Sequence, residues 1–334
     1  PPPSETPVMT TLPRPTTLLL AAALTLTVGC NAFGPSAQQK KVSKHLADAR
    51  QFQQEGMDDS ALAALSLALE ENPKLTEAYM GMGNIFLDRG DFDLALERFD
   101  RAVENDPNNH KALYRGGLAA QKNDQIDEAI TRYLRALAIA PQDFESNREI
   151  ASAYLQLGEP RTALPYARLA TTVNPESQPA WSNLAATYSL LGQYESAIDA
   201  YRTANELGEL ADPVLLGLAD AHIRLGNYPR AINTLNSLIL SSPSGTAHER
   251  LGYALFKLRR FEQALDHYEE SLQFDTEDIA ALNGAGACYM TLYLEGQREN
   301  RFQKERAVEC WRRSVMLQPQ QPRIIDLLSR YSRL

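Results

Sequence analysis

The sequence predicts an all-α fold in which about eight short helical hairpins stack into a solenoid and a last helix closes the C-terminal end. An alanine recurs at intervals of 34 residues, once 33 and once 43, at Ala61, Ala95, Ala129, Ala163, Ala197, Ala231, Ala264 and Ala307. Around each alanine the apolar residues are spaced by three and four, which is typical of amphipathic helices. A pair of helices this short leaves one face unburied, so consecutive pairs must stack on one another.

Residue types at fixed places in each unit predict where its two helices begin and end. A small residue in the first helix allows the second helix to approach closely, at Ala49, Gly83, Gly117, Ala151, Ala185, Ala219, Gly252 and Gly286. A glycine can adopt the left-handed conformation that ends the first helix, and it is present at Gly56, Gly90, Gly158, Gly192 and Gly226. A proline cannot continue the second helix, and it follows at Pro73, Pro107, Pro141, Pro175, Pro243 and Pro319.

Several units depart from this pattern. Asp124 and Arg259 stand in place of the turn glycine, and Glu209 and Thr276 stand in place of the closing proline. We expect these substitutions to loosen individual turns without changing the fold. Aromatic side chains of the second helices, such as Phe99, are expected to fill the space above and below the close helix contact.

The order of small residue, glycine, alanine and proline resembles the tetratricopeptide repeat, a helical hairpin of 34 residues, across residues 42–321. This resemblance implies a right-handed solenoid of eight repeats. An insertion at about 290–306 in the eighth repeat predicts either a charged loop or two extended helix ends. Residues 322–334 resemble the helix that caps such an array, because one stripe of the segment is apolar, at Ile324, Leu327, Leu328, Tyr331 and Leu334.

The first 29 residues carry the features of an N-terminal extension followed by a signal peptide. We expect translation to start at Met9, because the residues before it contain no structural signal. The apolar run at 18–28 would span about 16 Å as a helix, which is about half of a bilayer core. A transmembrane anchor is therefore disfavoured and the layout is that of a signal peptide.

The end of the apolar run, LTVGC, resembles the lipobox of bacterial lipoproteins, which is cleaved before a cysteine that then receives lipid. Gly29 fits the small residue before the cleavage point, whereas Thr27 stands where leucine is usual. We therefore expect a lipidated Cys30 at the start of a short linker, 30–41, and a protein anchored to a bacterial membrane on its extracytoplasmic, periplasmic side. Ordinary secretion and an unprocessed cytoplasmic protein are the alternatives.

Charge and residue types argue against several classes of function. A net charge of −9 at pH 7 disfavours a nucleic-acid binder, which needs a basic surface. The charge is uneven, since segment 55–106 holds thirteen acidic and four basic residues and segment 296–334 holds nine basic and four acidic ones. Three cysteines and five scattered histidines form no metal-binding motif, and phosphate loops and nucleophile motifs are absent. We expect no catalysis, cofactor, metal or small-molecule substrate.

The resemblance implies that the functional surface is the inner face of the solenoid, formed by fixed positions of the first helix of each repeat. On this basis the candidate partner-binding residues are Asn84, Lys111, Tyr114, Arg115, Arg148, Leu216, Ile223, Tyr253 and Phe256. The early positions are polar and the later ones are more apolar, which suits a protein segment held by apolar anchors. Lys111 and Arg115 match part of the carboxylate clamp of one sub-family, but Leu46, Arg50 and Gly81 occupy the other positions, so that ligand is not predicted.

Together these features predict a non-catalytic scaffold that binds another protein or a peptide, anchored to the membrane through Cys30 and serving the assembly of an envelope complex. The alternative is a regulatory or substrate-docking subunit of an enzyme or secretion complex whose catalytic part is on another chain. The sequence does not identify the partner, because the groove residues of such scaffolds vary independently of the fold.

Overall fold

The computed structural model describes residues 36–297 and 299–332, so the predicted extension, signal peptide and Cys30 lie outside the described residues. The described chain contains seventeen α-helices and no β-strand. In chain order the helices are α1 (Ala37–Gln54), α2 (Asp58–Glu71), α3 (Thr76–Arg89), α4 (Phe92–Asn105), α5 (His110–Lys122), α6 (Ile126–Ile139), α7 (Phe144–Gln156), α8 (Pro160–Val173), α9 (Gln178–Leu190), α10 (Tyr194–Leu207), α11 (Asp212–Arg224), α12 (Tyr228–Ser241), α13 (Gly245–Lys257), α14 (Phe261–Phe274), α15 (Ile279–Glu295), α16 (Arg301–Leu317) and α17 (Pro322–Tyr331).

The helices pack as eight hairpins, from α1/α2 to α15/α16, and each hairpin packs on the next one along the chain. Helix α17 packs against α16 at the C-terminal end. The predicted all-α solenoid is therefore confirmed. The first hairpin begins at Ala37, a few residues before the position that the repeat pattern predicts.

Each hairpin is held together at its repeated alanine. All eight of these alanines, from Ala61 to Ala307, are 0% exposed. They lie on the second helices, where a larger side chain would separate the two helices of a hairpin. Because protein interiors are closely packed, this explains why the 34-residue period is strongest at this position.

The small residue of the first helix faces one residue of the second helix, and in most hairpins the two complement each other in size. Where the partner is Phe99, Tyr133, Tyr268 or Trp311, the first helix has a glycine, and an added Cβ would lie 3.0 Å or less from the aromatic ring. At the same place three other hairpins pair an alanine with Leu65, Ala167 or Leu235, and the fifth hairpin pairs Ala185 with Tyr201. The aromatic rings therefore lie directly on the glycines instead of above and below the helix contact, which differs from the sequence-based expectation.

The turns within hairpins keep one backbone conformation whether or not glycine is present. The five predicted glycines have φ between +72° and +85°. Asp124 and Arg259, which replace glycine in two other hairpins, have φ of 58° and 61°. These two turns are therefore not opened by the substitution, and each carries the strain of a side chain in the left-handed region.

The insertion in the eighth hairpin lengthens both of its helices. Helices α15 and α16 have 17 residues each, whereas α2 to α14 have 13 or 14. Of the two forms that the sequence predicts, extended helix ends are therefore the one observed. No helix within 36–297 or 299–332 combines the length and apolar character needed to cross a bilayer.

Candidate protein-binding groove

The first helices of the hairpins form one continuous face. Six consecutive pairs of them are in contact, from α3/α5 to α13/α15. Because the first helices meet one another along the array, they lie on its inner side and the second helices lie on its outer side. The sequence-based assignment of the candidate residues to first helices places them on this inner face.

Four candidate residues surround a polar cleft of about 330 Å³ at the boundary of α3, α5 and α7. Its lining residues are Met80, Asn84, His110, Lys111, Tyr114, Arg115, Asp143 and Glu145. The guanidinium of Arg115 lies 5.8 Å from the centre of the Tyr114 ring. Helix α5 is fixed at its start because Asn109 Oδ1 accepts a hydrogen bond from the backbone N–H of Ala112.

The polar cleft offers both donors and acceptors. Burial, with nearby Glu145 and Glu149, raises the pKa of Tyr114 to about 12, so its hydroxyl stays protonated at neutral pH. The amide oxygen of Asn84 is buried without a hydrogen-bond partner in the described part of the chain. Lys111 and Arg115 form no ion pair with the described carboxylates. Among the described residues these two cations therefore remain outside ion pairs, although the carboxylates of Asp143 and Glu145 line the same cleft.

Arg148 lies next to the polar cleft, but neighbouring residues hold its charge. Its guanidinium pairs with Glu145 at 2.8 Å and with Glu149 at 2.5 Å. It also lies 5.7 Å from the centre of the Phe144 ring. Arg148 is thus held in place by the protein and has less capacity to bind a partner than its sequence position suggests.

A second cleft, of about 440 Å³, lies between α11 and α13. The candidate residues Ile223 and Tyr253 line it together with Asp220, Arg224, Tyr228, Glu249 and Arg250. Arg250 Nε lies 2.8 Å from Asp220 Oδ1, and its guanidinium also donates to Glu249. This ion-pair network spans two repeats and fixes the floor of the groove.

Glu249 is the most deeply buried carboxyl group in this network, at 6% exposed. Burial raises its pKa above the usual range, while Arg250 acts in the opposite direction. A buried carboxyl beside an arginine is costly to leave unpaired. Its role is therefore to hold Arg250 in place, and the pair contributes little net charge to the groove.

A third cavity, the terminal pocket, closes the C-terminal end of the groove and has a volume of about 540 Å³. It lies between α13, α15 and α17, and its lining includes the candidate residues Tyr253 and Phe256. Ile324 and Leu327 of α17 form its outer wall. The helix predicted as a cap therefore also forms part of the inner surface.

Eight of the nine candidate residues thus divide into two groups. Asn84, Lys111, Tyr114 and Arg115 lie together, with Arg148 beside them, and Ile223, Tyr253 and Phe256 line the later cavities. Leu216 is partly buried and packs on the apolar core that extends from α11 to α17. Sequence reasoning left out Asp220, Glu249, Arg250 and Asn283, although they occupy the same repeat positions as the chosen residues.

The remaining histidines and cysteines of interest lie in the later hairpins. In the described ranges, no three histidine, cysteine, aspartate or glutamate side chains are grouped so that they could hold a metal ion. His248 and His267 lie with their Nδ1 atoms 3.1 Å apart, and burial lowers the pKa of both. Cys288 and Cys310 are buried free thiols, and burial raises the pKa of each.

Comparison with known proteins identifies the fold. Many solved structures are similar to this chain. PilF of Pseudomonas aeruginosa, at 19% identity, covers 62% of this chain and 95% of its own with a TM-score of 0.56. A tetratricopeptide repeat protein of Parabacteroides merdae, at 22% identity, covers 76% of this chain and 97% of its own with a TM-score of 0.53. No curated protein sequence matches the chain.

The family model for the tetratricopeptide repeat matches residues 80–144, 148–210 and 216–279, which together are more than half of the chain. These segments cover the hairpins that form the polar cleft and the central part of the groove. The chain therefore belongs to the tetratricopeptide repeat family.

Proposed function

We propose that the inner face of this solenoid binds a segment of another protein and that the protein is a non-catalytic scaffold. The tetratricopeptide fold supports protein–protein interaction, and proteins of this family are generally non-catalytic scaffolds. The observation that supports the proposal for this chain is the composition of its inner face. Lys111 and Arg115, which form no ion pair with a described carboxylate, lie near its start, and aromatic and aliphatic side chains line its end.

A surface divided in this way suits an extended segment better than a compact ligand. The polar cleft and the terminal pocket belong to different hairpins of the same face, α3 to α7 and α13 to α17. Apolar anchors provide most of the binding free energy in such interfaces, and polar contacts fix orientation. The bound segment would therefore have an acidic part against Lys111 and Arg115 and an apolar part further along.

The groove proposal predicts that the double substitution Lys111→Ala and Arg115→Ala weakens partner binding by about tenfold, because charged groups of the partner lose two contacts. Binding would be measured by pull-down from solubilised membranes and by calorimetry with the recovered partner. The matched control removes Arg135 and Arg161, two exposed arginines of the outer helices α6 and α8. Equal binding by both double variants would contradict the proposal.

We further propose that the scaffold is extracytoplasmic and anchored through a lipid on Cys30, where it serves the assembly of an envelope complex. The sequence LTLTVGC supports this proposal because it resembles a lipobox. Six residues separate Cys30 from Ala37. Fully extended, this linker spans at most about 20 Å at about 3.3 Å per residue. An anchored array would therefore lie close to the membrane surface.

The anchor proposal predicts that Cys30→Ser moves the protein from the membrane fraction to the soluble fraction. The measurement is cell fractionation combined with the intact mass of the mature N-terminus, which reveals diacylglycerol directly. Cys288→Ser is the control, because that thiol is buried in the folded array. A wild-type protein without lipid in the soluble fraction would contradict the anchor and leave the groove proposal unaffected. Envelope-assembly proteins among the captured partners would support the assembly role.

A further inference from the structure

We propose that the terminal pocket holds a large apolar side chain of the bound segment and that an acidic residue lies next to this side chain. The inference rests on the proposed function of the groove, because it assigns a chemistry to one place on that surface. The occupant is a segment of another protein with an aromatic or large aliphatic residue flanked by aspartate or glutamate.

The pocket exists because helix α15 presents three small residues to it. Ala280, Gly284 and Ala287 line it from α15 at spacings of four and three, which places them on one side of the helix. At Gly284 an added Cβ would overlap the ring of Tyr268, so the ring forms the floor of the pocket. The volume that larger side chains on α15 would fill is therefore open space inside the pocket.

The walls of the pocket are apolar on both sides. Phe256 and Tyr253 contribute from α13, and Ile324 and Leu327 contribute from α17. The indole of Trp311 lies below and is 1% exposed, so the floor is rigidly packed. A preformed apolar cavity of about 540 Å³ lies in the usual size range for a ligand site. Such a cavity stabilises an apolar side chain by removing it from water.

The charges at the rim of the terminal pocket determine which type of residue lies next to the apolar side chain in the bound segment. Lys257 and Arg323 both line the pocket, and neither pairs with a carboxylate among residues 36–297 and 299–332. Lys257 Nζ lies 5.3 Å from the centre of the Tyr253 ring. The one carboxyl group of the lining, Glu249, is already engaged by Arg250. The rim is therefore positively charged, and an acidic residue of the bound segment complements this charge.

The test uses the full chain and two fluorescein-labelled peptides, Gly-Ser-Asp-Phe-Asp-Gly-Ser and the same peptide with alanine in place of phenylalanine. Fluorescence anisotropy should show at least about tenfold tighter binding of the phenylalanine peptide, since only its ring fills the pocket. Ala287→Leu fills the cavity with a good helix former and should remove this preference. The double variant Lys257→Glu and Arg323→Glu should weaken binding of the phenylalanine peptide by about tenfold or more.

The control for charge is Lys122→Glu, which changes the last residue of α5 as Lys257→Glu changes the last residue of α13. It should leave binding of the phenylalanine peptide unchanged, and circular dichroism should show an unchanged helix content for every variant. Equal binding of the two peptides, no binding of either, or full binding by the Ala287→Leu variant would each overturn the inference.

The outcomes also separate this inference from the proposed function. If capture of the partner depends on Lys111 and Arg115 but not on the terminal pocket, the groove proposal stands and the inference is wrong. If sedimentation shows self-association that Ala287→Leu abolishes, a second copy of the chain occupies the pocket and the inference is again wrong. Loss of partner capture in both the polar-cleft and the terminal-pocket variants supports both.

Discussion

Replacing Trp311 with alanine should destabilise the C-terminal hairpin by about 3–5 kcal/mol, the usual cost of removing a large buried aromatic side chain. The indole is 1% exposed and lies in the core that extends from α11 to α17. Its ring lies on Gly286, where an added Cβ would overlap it, and its Nε1 donates to the carbonyl oxygen of Asn283 at 3.4 Å. Alanine would leave a cavity that these rigid neighbours cannot fill.

The loss should be local, because each repeat of a solenoid contacts only its neighbours. Amide hydrogen exchange measures this directly, since it reports the opening free energy of each helix. We expect faster exchange in α15 to α17 of the Trp311→Ala protein and unchanged exchange in α3 to α6. The control is Met316→Ala on the same helix, where the side chain is 81% exposed. Equal acceleration in all helices would contradict the local assignment.

The same substitution connects stability with the proposed binding surface. Trp311 lies beneath the terminal pocket, in the core cluster on which Ile324 and Leu327 of α17 pack. A peptide that occupies the pocket should therefore slow exchange in α15 to α17, because a ligand stabilises the state to which it binds. The polar cleft belongs to hairpins that Trp311 does not touch, so its binding should remain.

The solenoid could be predicted because its signals repeat. A single alanine is weak evidence, but eight of them at regular spacing mark the same close contact in every hairpin. Glycine and proline mark the turns for local reasons that hold in any context. The turns at Asp124 and Arg259 were expected to loosen, but both keep the left-handed conformation of the glycine turns.

The binding surface could be predicted only in part. Repeat position determines which residues face inward, and this placed Asn84, Lys111, Tyr114 and Arg115 around one cleft. Position does not reveal whether a charge is already paired, and Arg148 is held by two glutamates. It also does not reveal cavities, because the terminal pocket depends on small residues of α15 and on where α17 packs.

The size match between facing helices leads to the second large prediction. In the third hairpin Gly117 faces Tyr133, and an added Cβ would lie 2.6 Å from ring atom Cε1. The Tyr133 side chain is fully buried and its hydroxyl donates to Gln121 at 2.9 Å. In the sixth hairpin the same positions are Ala219 and Leu235, both 0% exposed. The fifth hairpin pairs Ala185 with Tyr201, so the overlap expected at Gly117 depends on the short distance to the ring in the third hairpin.

Tyr133→Leu alone should cost about 2–4 kcal/mol, because it removes buried ring volume and one hydrogen bond. Gly117→Ala alone should cost about 1–2 kcal/mol, because overpacking against the ring outweighs the gain of about 1 kcal/mol from replacing glycine in a helix. In the Tyr133→Leu protein the ring is absent, so Gly117→Ala should instead stabilise by about 0.5–1 kcal/mol.

The effect of Gly117→Ala should thus change sign with its partner, and a double-mutant cycle of urea denaturation measures this coupling. The expected coupling energy is about 1.5–3 kcal/mol, within the range for residues in direct contact. The control cycle combines Gly117→Ala with Leu235→Ala. Because Leu235 lies three hairpins away, the free-energy changes of these two substitutions should add. If Gly117→Ala destabilises both backgrounds equally, the size match does not determine how this hairpin packs.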